Sequence, residues 1–402
     1  MAKHSDRRPG YPKIWKIEIS DRHRTLRLVL AVVFLAIGIA AIVYGVQSLV
    51  ATEPGWQLVE PEIDGPSYAG DIQFNYDFSD LGGGATAAYR SLRALYSETM
   101  AQVFLALEDQ GEGTLAYLNA HPGETVTLDP FLYDALTQAV EAGDRHIFLG
   151  PVYEEYDRVF LAESDAEAAR YDPTLDETQR AYAAQAAAYA ADPAQISLEL
   201  LGDHQARLIL SEACQSFSEE NGIVDWVDFG WMRYAFVVDY LADTLREAGW
   251  THGYLASYDG FTRNLDDRGI AYSLNLFDRQ GNSVEIPAVL EYDTPMSLVF
   301  LRDYPLSDQD SWHYRAYETG GITSAMADPA DGQCKSAVPN LVSYSEALGC
   351  AEILLTVAPL YVADSWDQAA LEALTARGID SIWPENGVLT CTDPNAVIRE
   401  RE

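Results

Sequence analysis

A chain of 402 residues with 26 Lys and Arg against 62 Asp and Glu carries a formal net charge of −36. That balance excludes nucleic acid and anionic lipid as partners of its bulk, since both would be repelled. The length allows one or two lobes with proper cores.

The first 27 residues run against the rest of the chain: Lys3, Arg7, Arg8, Lys13, Lys16, Arg22, Arg24 and Arg27 face three acids, Asp6, Glu18 and Asp21. Leu28 to Val46 then gives nineteen residues without a charge, roughly 28 Å as a helix and long enough to span a bilayer. The charge bias puts the N-terminus in the cytoplasm. We therefore expect a basic cytoplasmic tail at 1–27, a transmembrane helix at 28–50, and a single-pass protein of the cell membrane with its large C-terminal part outside. That outer part holds eighteen Lys and Arg against fifty-nine Asp and Glu, a net −41. An anionic ligand would need a metal bridge to approach it.

Residues 51–72 hold Pro54, Pro61 and Pro66 with Gly55, Gly65 and Gly70 and show no period, which predicts a stalk before a domain at 73–402. Tyr89, Leu92, Tyr96, Met100, Val103 and Leu107 recur every three or four residues and predict a long amphipathic helix. Asp129-Pro130 predicts the start of a second, burying Leu132, Leu136 and Val140. An alanine-rich helix follows at about Leu175 to Ala190. Another carries Val237, Val238, Leu241 and Leu245 and stops at Gly249.

Strands are expected at Tyr272 to Phe277, Ser283 to Val289 and Ser297 to Leu301. Helices near Tyr344 to Val357 and Trp366 to Arg377 then precede a hairpin, Ile379 to Trp383 and Val388 to Cys391, turned by Pro384-Glu385-Asn386-Gly387. The order predicts an α+β domain with helices packed on antiparallel sheet. All four cysteines, Cys214, Cys334, Cys350 and Cys391, lie in the outer part. Cys334 and Cys350 flank one segment in a compartment that permits oxidation, so a disulfide between them is expected; Cys214 and Cys391 are unassigned.

Several common chemistries are missing. The seven histidines never pair at metal spacing, no CxxC or GxSxG occurs, and Gly82-Gly83-Gly84 lacks the Lys-Ser/Thr of a phosphate loop.

From Asn119 onward the order of segments resembles the ApbE family, flavin transferases that move FMN from FAD onto a threonine of a target protein outside the cytoplasm. The likeness spans about Phe74 to Asp393. Leu118-Asn119, Pro122-Gly123-Glu124, Val126 to Pro130 and Gly150-Pro151-Val152 follow the family's order. Asp228-Phe229-Gly230 through Asp239 is similar to its D-L-G-G-I-A-K-G-Y-A-V-D segment. Trp231, Arg233, Tyr234 and Ala235 depart from it, standing where the family has glycine, alanine, lysine and glycine. Ala327-Asp328-Pro329-Ala330-Asp331-Gly332 looks like H-I-I-D-P-x-T-G, with Ala325 at the histidine; taken by itself it is an ordinary Asp-Pro-x-Asp-Gly turn. Ala351-Glu352 to Thr356 is similar to the A-D-A-L-S-T metal element.

The resemblance implies FAD and Mg²⁺ as cofactors, with Asp228, Gly230, Asp259 and Asp328 at the cofactor and Glu352 and Thr356 on the metal, whose hard oxygens suit Mg²⁺. It assigns no catalytic residue and implies a membrane flavoprotein as acceptor. Three functions stand open: a membrane-anchored FAD:protein FMN transferase; a catalytically degenerate binding or scaffold module with the flavin site filled by Trp231 and Arg233; or a likeness of architecture alone, with an unrelated small ligand in the cleft.

Overall fold

The computed structural model describes residues 55–62, 70–281, 283–385 and 387–401, all within one compact unit, Pro54–Glu402. The basic tail, the expected membrane helix at 28–50, and residues 51–54 and 63–69 of the expected stalk lie outside the described residues. Among the described residues, no helix is long and apolar enough to cross a membrane.

An eight-stranded antiparallel sheet organises the chain. Its strands are β1 (Trp56–Leu58), β2 (Ile72–Asp77), β3 (Gly253–Ser257), β4 (Phe261–Asn264), β5 (Met296–Arg302), β6 (Asn340–Ser345), β7 (Asp380–Glu385) and β8 (Val388–Cys391), and they lie side by side in chain order. The other described elements are inserted between neighbours of this meander, except the strand Val397–Glu400, which follows β8. Between β2 and β3 come the helices α1 (Ala85–Glu108), α2 (Pro130–Glu141), α3 (Gly150–Leu161), α4 (Glu177–Ala191) and α5 (Arg233–Glu247), with shorter ones; α6 (Cys350–Tyr361) lies between β6 and β7.

The two faces of the sheet are buried differently. On β5 every residue is buried, and alternate side chains point to opposite faces. Val299 and Leu301 join the large core formed with the helices, where α5 packs on β3 and β4, and α6 packs on β5, β6 and α5. Met296, Leu298 and Phe300 join a second core with Leu276, Ala288 and Leu290. Those last three belong to the hairpin Tyr272–Gln280/Ser283–Tyr292, which the strand Val397–Glu400 extends.

The sequence-based expectations of an α+β domain and its antiparallel sheet hold. The Asp129 carboxylate accepts the Phe131 N–H at 2.9 Å and starts α2, and Gly249 adopts φ +84° beyond α5. Three readings need correction. Trp56–Leu58, expected in the stalk, is an edge strand paired with β2. The helix expected from Tyr344 starts at Cys350, because Asn340–Ser345 is a strand buried throughout its length. All four cysteines are free; Cys350 turns its thiol into the sheet, where it donates to the Thr262 carbonyl at 3.3 Å rather than meeting Cys334.

Candidate binding cavity

The segment between α3 and α5 begins the site. The Asp228 carboxylate accepts the Gly230 N–H at 2.7 Å and holds a turn in which Gly230 takes φ +50°. A Cβ at Gly230 would lie 2.5 Å from the Tyr153 ring of α3, so only glycine lets the turn and the helix approach. The next side chain, Trp231, is buried with its ring edge-on to His146 at 5.9 Å. Arg233 follows, its guanidinium on the Glu108 carboxylate and 3.8 Å from Asp228. Tyr234 donates its hydroxyl to Asp71 at 2.6 Å.

The β3–β4 turn forms the opposite wall. Ser257 donates its hydroxyl to the Asp259 Oδ1 and accepts the Phe261 N–H at 3.0 Å. Oδ2 of Asp259 is buried, and no group among the described residues donates to it. Burial pushes this carboxyl up to about 7; Ser257 and Arg302 oppose the shift and Asp71 adds to it. Arg302 beneath is 1% exposed. It donates to Asp310 at 2.6 Å and to the Tyr258 carbonyl at 3.2 Å. His313 closes this side; its enclosure, with the positive charges of Arg233 and Arg302, drives the imidazole down to about 4, so it is neutral at physiological pH.

Between these walls lies a cavity of about 390 Å³, also lined by Tyr156, Asp157 and Phe160 of α3, by Trp312, and by Ala325. A side niche of about 20 Å³ adjoins it at Trp231, Asp259, His313 and Ala325 and reaches Arg302. The wall combines aromatic rings with the carboxylates Asp71, Glu108, Asp157, Asp228, Asp259 and Asp310; among the described residues lining it, Arg233 is the one Arg or Lys. Such a site can enclose a small molecule with an apolar body, and disfavours an anionic one.

Three residues named from sequence, Asp228, Gly230 and Asp259, thus line one cavity. Ala325, at the family's histidine, lines it too. Asp328 is not among the lining residues: it accepts the Ala330 N–H at 2.8 Å and the Lys335 ammonium at 2.9 Å, a turn locked by an ion pair. Glu352 is exposed in the first turn of α6, and the Thr356 hydroxyl donates to the Glu352 backbone carbonyl at 2.8 Å. Neither lines the cavity, and among the described residues no group of three or more His, Cys, Asp or Glu could hold a metal ion.

Sequence reasoning missed Tyr153, Tyr156 and Phe160, although their spacing is that of one helix face. It also missed Trp312 and His313, which no pattern marks. Asp239, named only as the end of the similar segment, is buried and accepts the N–H groups of Cys350 at 2.9 Å and Ala351 at 2.8 Å, with Arg263 donating to it at 2.5 Å.

No protein-family model matches this sequence, and no curated protein matches it. Solved structures do. An ApbE protein from Thermotoga maritima aligns with a TM-score of 0.54 at 12% identity, over 82% of this chain and 93% of that one. The flavin transferase ApbE from Vibrio cholerae aligns at 0.53 and 13% identity, over 84% and 97%. The flavinyl transferase ApbE from Pseudomonas stutzeri, in its apo form, aligns at 0.51 and 13%, again over 84% and 97%. A likeness at such identities is one of architecture, and this chain has the fold of the ApbE flavin transferases.

Proposed function

We propose that this protein is a membrane-anchored, extracytoplasmic binding module on the ApbE fold that does not transfer FMN. The observation that carries the reading is the make-up of the cavity wall. A flavin dinucleotide brings a diphosphate, and here six carboxylates surround the space while the one lining guanidinium already sits on Glu108. A divalent metal would have to neutralise that repulsion. The donor set does not suit one: Glu352 is exposed, the Thr356 hydroxyl is spent on the helix backbone, and neither lines the cavity. Trp231, Arg233 and Tyr234 occupy the turn where the small residues of the resembled segment would let a dinucleotide lie close.

A second reading, a divergent FMN transferase, is favoured by one observation: Glu352 and Thr356 stand one turn apart on α6. One experiment separates the two. The full-length chain, in nanodiscs of neutral lipid, is melted with and without FAD and Mg²⁺. An unchanged melting temperature is expected, since a ligand stabilises only what it binds. A metal-dependent rise with FAD would overturn the claim that the cavity excludes flavin, and AMP released from FAD in the same sample would overturn the binding-module reading.

The anchor is part of the proposal and rests on the eight-to-three charge bias and the apolar run. Protease added to intact spheroplasts is expected to digest the domain. Protection until the membrane is broken would refute the topology.

A further inference from the structure

We propose that the cavity binds a small organic cation, an amine or quaternary ammonium with an apolar body, and that Asp259 is its counter-charge. The inference rests on reading the cavity as a ligand site, and it names the ligand's chemical class.

Size comes first. About 390 Å³ is the volume of a small-molecule pocket rather than a packing defect. Its aromatic wall is built, not scattered. Tyr153, Tyr156 and Phe160 come from one face of α3, and all three are buried. Trp231, in the turn that packs on Tyr153, is also buried, and Trp312, 64% exposed, lies at the solvent side. Aromatic faces attract cations as well as apolar groups.

The partners of the carboxylates then single out one atom. Glu108 holds Arg233, Asp71 accepts from Tyr234, Asp228 accepts from Gly230, and Asp310 holds Arg302. Asp157 has no hydrogen bond among the described residues either, but it is exposed, so water can serve it. Asp259 differs: Oδ1 is served by Ser257, whereas Oδ2 is buried and no group among the described residues donates to it; a turn of the carboxyl about its Cβ–Cγ bond would bring it to the cavity that Asp259 lines. A buried acceptor of this kind is kept at a cost to stability, which fits a group reserved for a ligand. A bound ammonium donates to it and, as a close positive charge, favours the ionised carboxylate over the neutral form that burial favours.

An anion is the wrong occupant. Arg302 also has an unpartnered atom, Nε, but it lines the side niche of about 20 Å³ and not the main cavity. That niche has room for one water molecule. A ligand in the main cavity meets the carboxylates first, and their field, focused by low-dielectric walls, concentrates cations there.

The test uses three probes of one shape: 2-phenylethylamine, 2-phenylethanol and 3-phenylpropionate, titrated into the full-length chain in nanodiscs of neutral lipid and followed by tryptophan fluorescence and calorimetry. Saturable binding of the amine is expected, with the alcohol at least about tenfold weaker and the carboxylate without effect. Asp259→Asn is expected to weaken the amine at least about tenfold while leaving the alcohol unchanged. Trp312→Ala, at an exposed position where folding is not at stake, is expected to weaken the amine about two- to fivefold.

Absence of amine binding, equal binding of amine and alcohol, or full amine affinity in a folded Asp259→Asn would each overturn the inference. Displacement of bound amine by FAD with Mg²⁺ would instead overturn the claim that the cavity excludes flavin and leave the cation site standing. Failure of the amine with FAD and Mg²⁺ also inert would reject the cation site alone.

Discussion

Asp239 and Glu352 exchange the roles that sequence suggests for them. Glu352 looks like the ligand and Asp239 like the tail of a motif, yet Asp239 is the buried one, bridging Arg263 and the first N–H groups of α6 across 111 residues of chain. A carboxylate there meets the positive end of a helix as well as a guanidinium. Replacing it strands a guanidinium that is only 7% exposed, leaving it the single carboxylate of Asp243 at 3.1 Å. Asp239→Ala is therefore expected to cost about 3–5 kcal/mol, read from urea denaturation. Glu352→Ala, on an exposed helix surface, should stay within about 0.5 kcal/mol of wild type. Equal losses would show that the burial contrast is not what separates them. Sequence could not have assigned these roles, because what decides them is which groups a folded sheet brings under the start of a helix. At the cavity the same holds in part: Asp228 and Gly230 are legible in a short segment, whereas the unpaired oxygen of Asp259 is set by Ser257 and by walls from distant segments.

Some elements were legible because one face meets water. The period in α1 and the Asp129-Pro130 start of α2 each stand out because polar residues mark the solvent side. Strands buried on both faces lose that mark. In β6 all of Asn340–Ser345 is buried, so no alternation announces a strand, and its residues merge with the apolar run of α6. The helix α3 was hidden differently, by a Gly150-Pro151 start that reads as a turn although Pro at the first helical positions is favourable. Burial of both faces makes a testable distinction on β5. Leu298 faces the hairpin core and Val299 the helical core, so truncating either to Ala should destabilise. Leu298→Ala is expected to cost about 2–5 kcal/mol, and Val299→Ala somewhat less for its smaller volume. A negligible loss at either position, measured by the shift of the urea midpoint at constant slope, would mean that one face of the sheet is not closed.

Charge is the property that belongs to the whole molecule, and it sets a sign for the effect of salt. A net charge of −36 repels itself in the compact state more than in the unfolded chain. Salt weakens that repulsion, since the screening length falls from about 10 Å at 0.1 M to about 3 Å at 1 M. Attractive pairs are screened too, and the balance depends on where they lie. Arg207 with Glu199 and Arg158 with Glu154 are exposed, and Arg399 is exposed on a half-buried Glu291; pairs open to water contribute about 0–1 kcal/mol each. Arg263 with Asp239 and Arg302 with Asp310 are buried, where screening hardly reaches. Repulsion is thus the larger screened term, and sodium chloride raised from about 0.02 M to about 0.5 M should raise the melting temperature. The rise should flatten as the screening length drops below the spacing of surface charges, whereas stabilisation through surface exclusion, as with sulfate, keeps growing with concentration. A melting temperature that falls with sodium chloride would mean that the exposed ion pairs outweigh the repulsion between the acids.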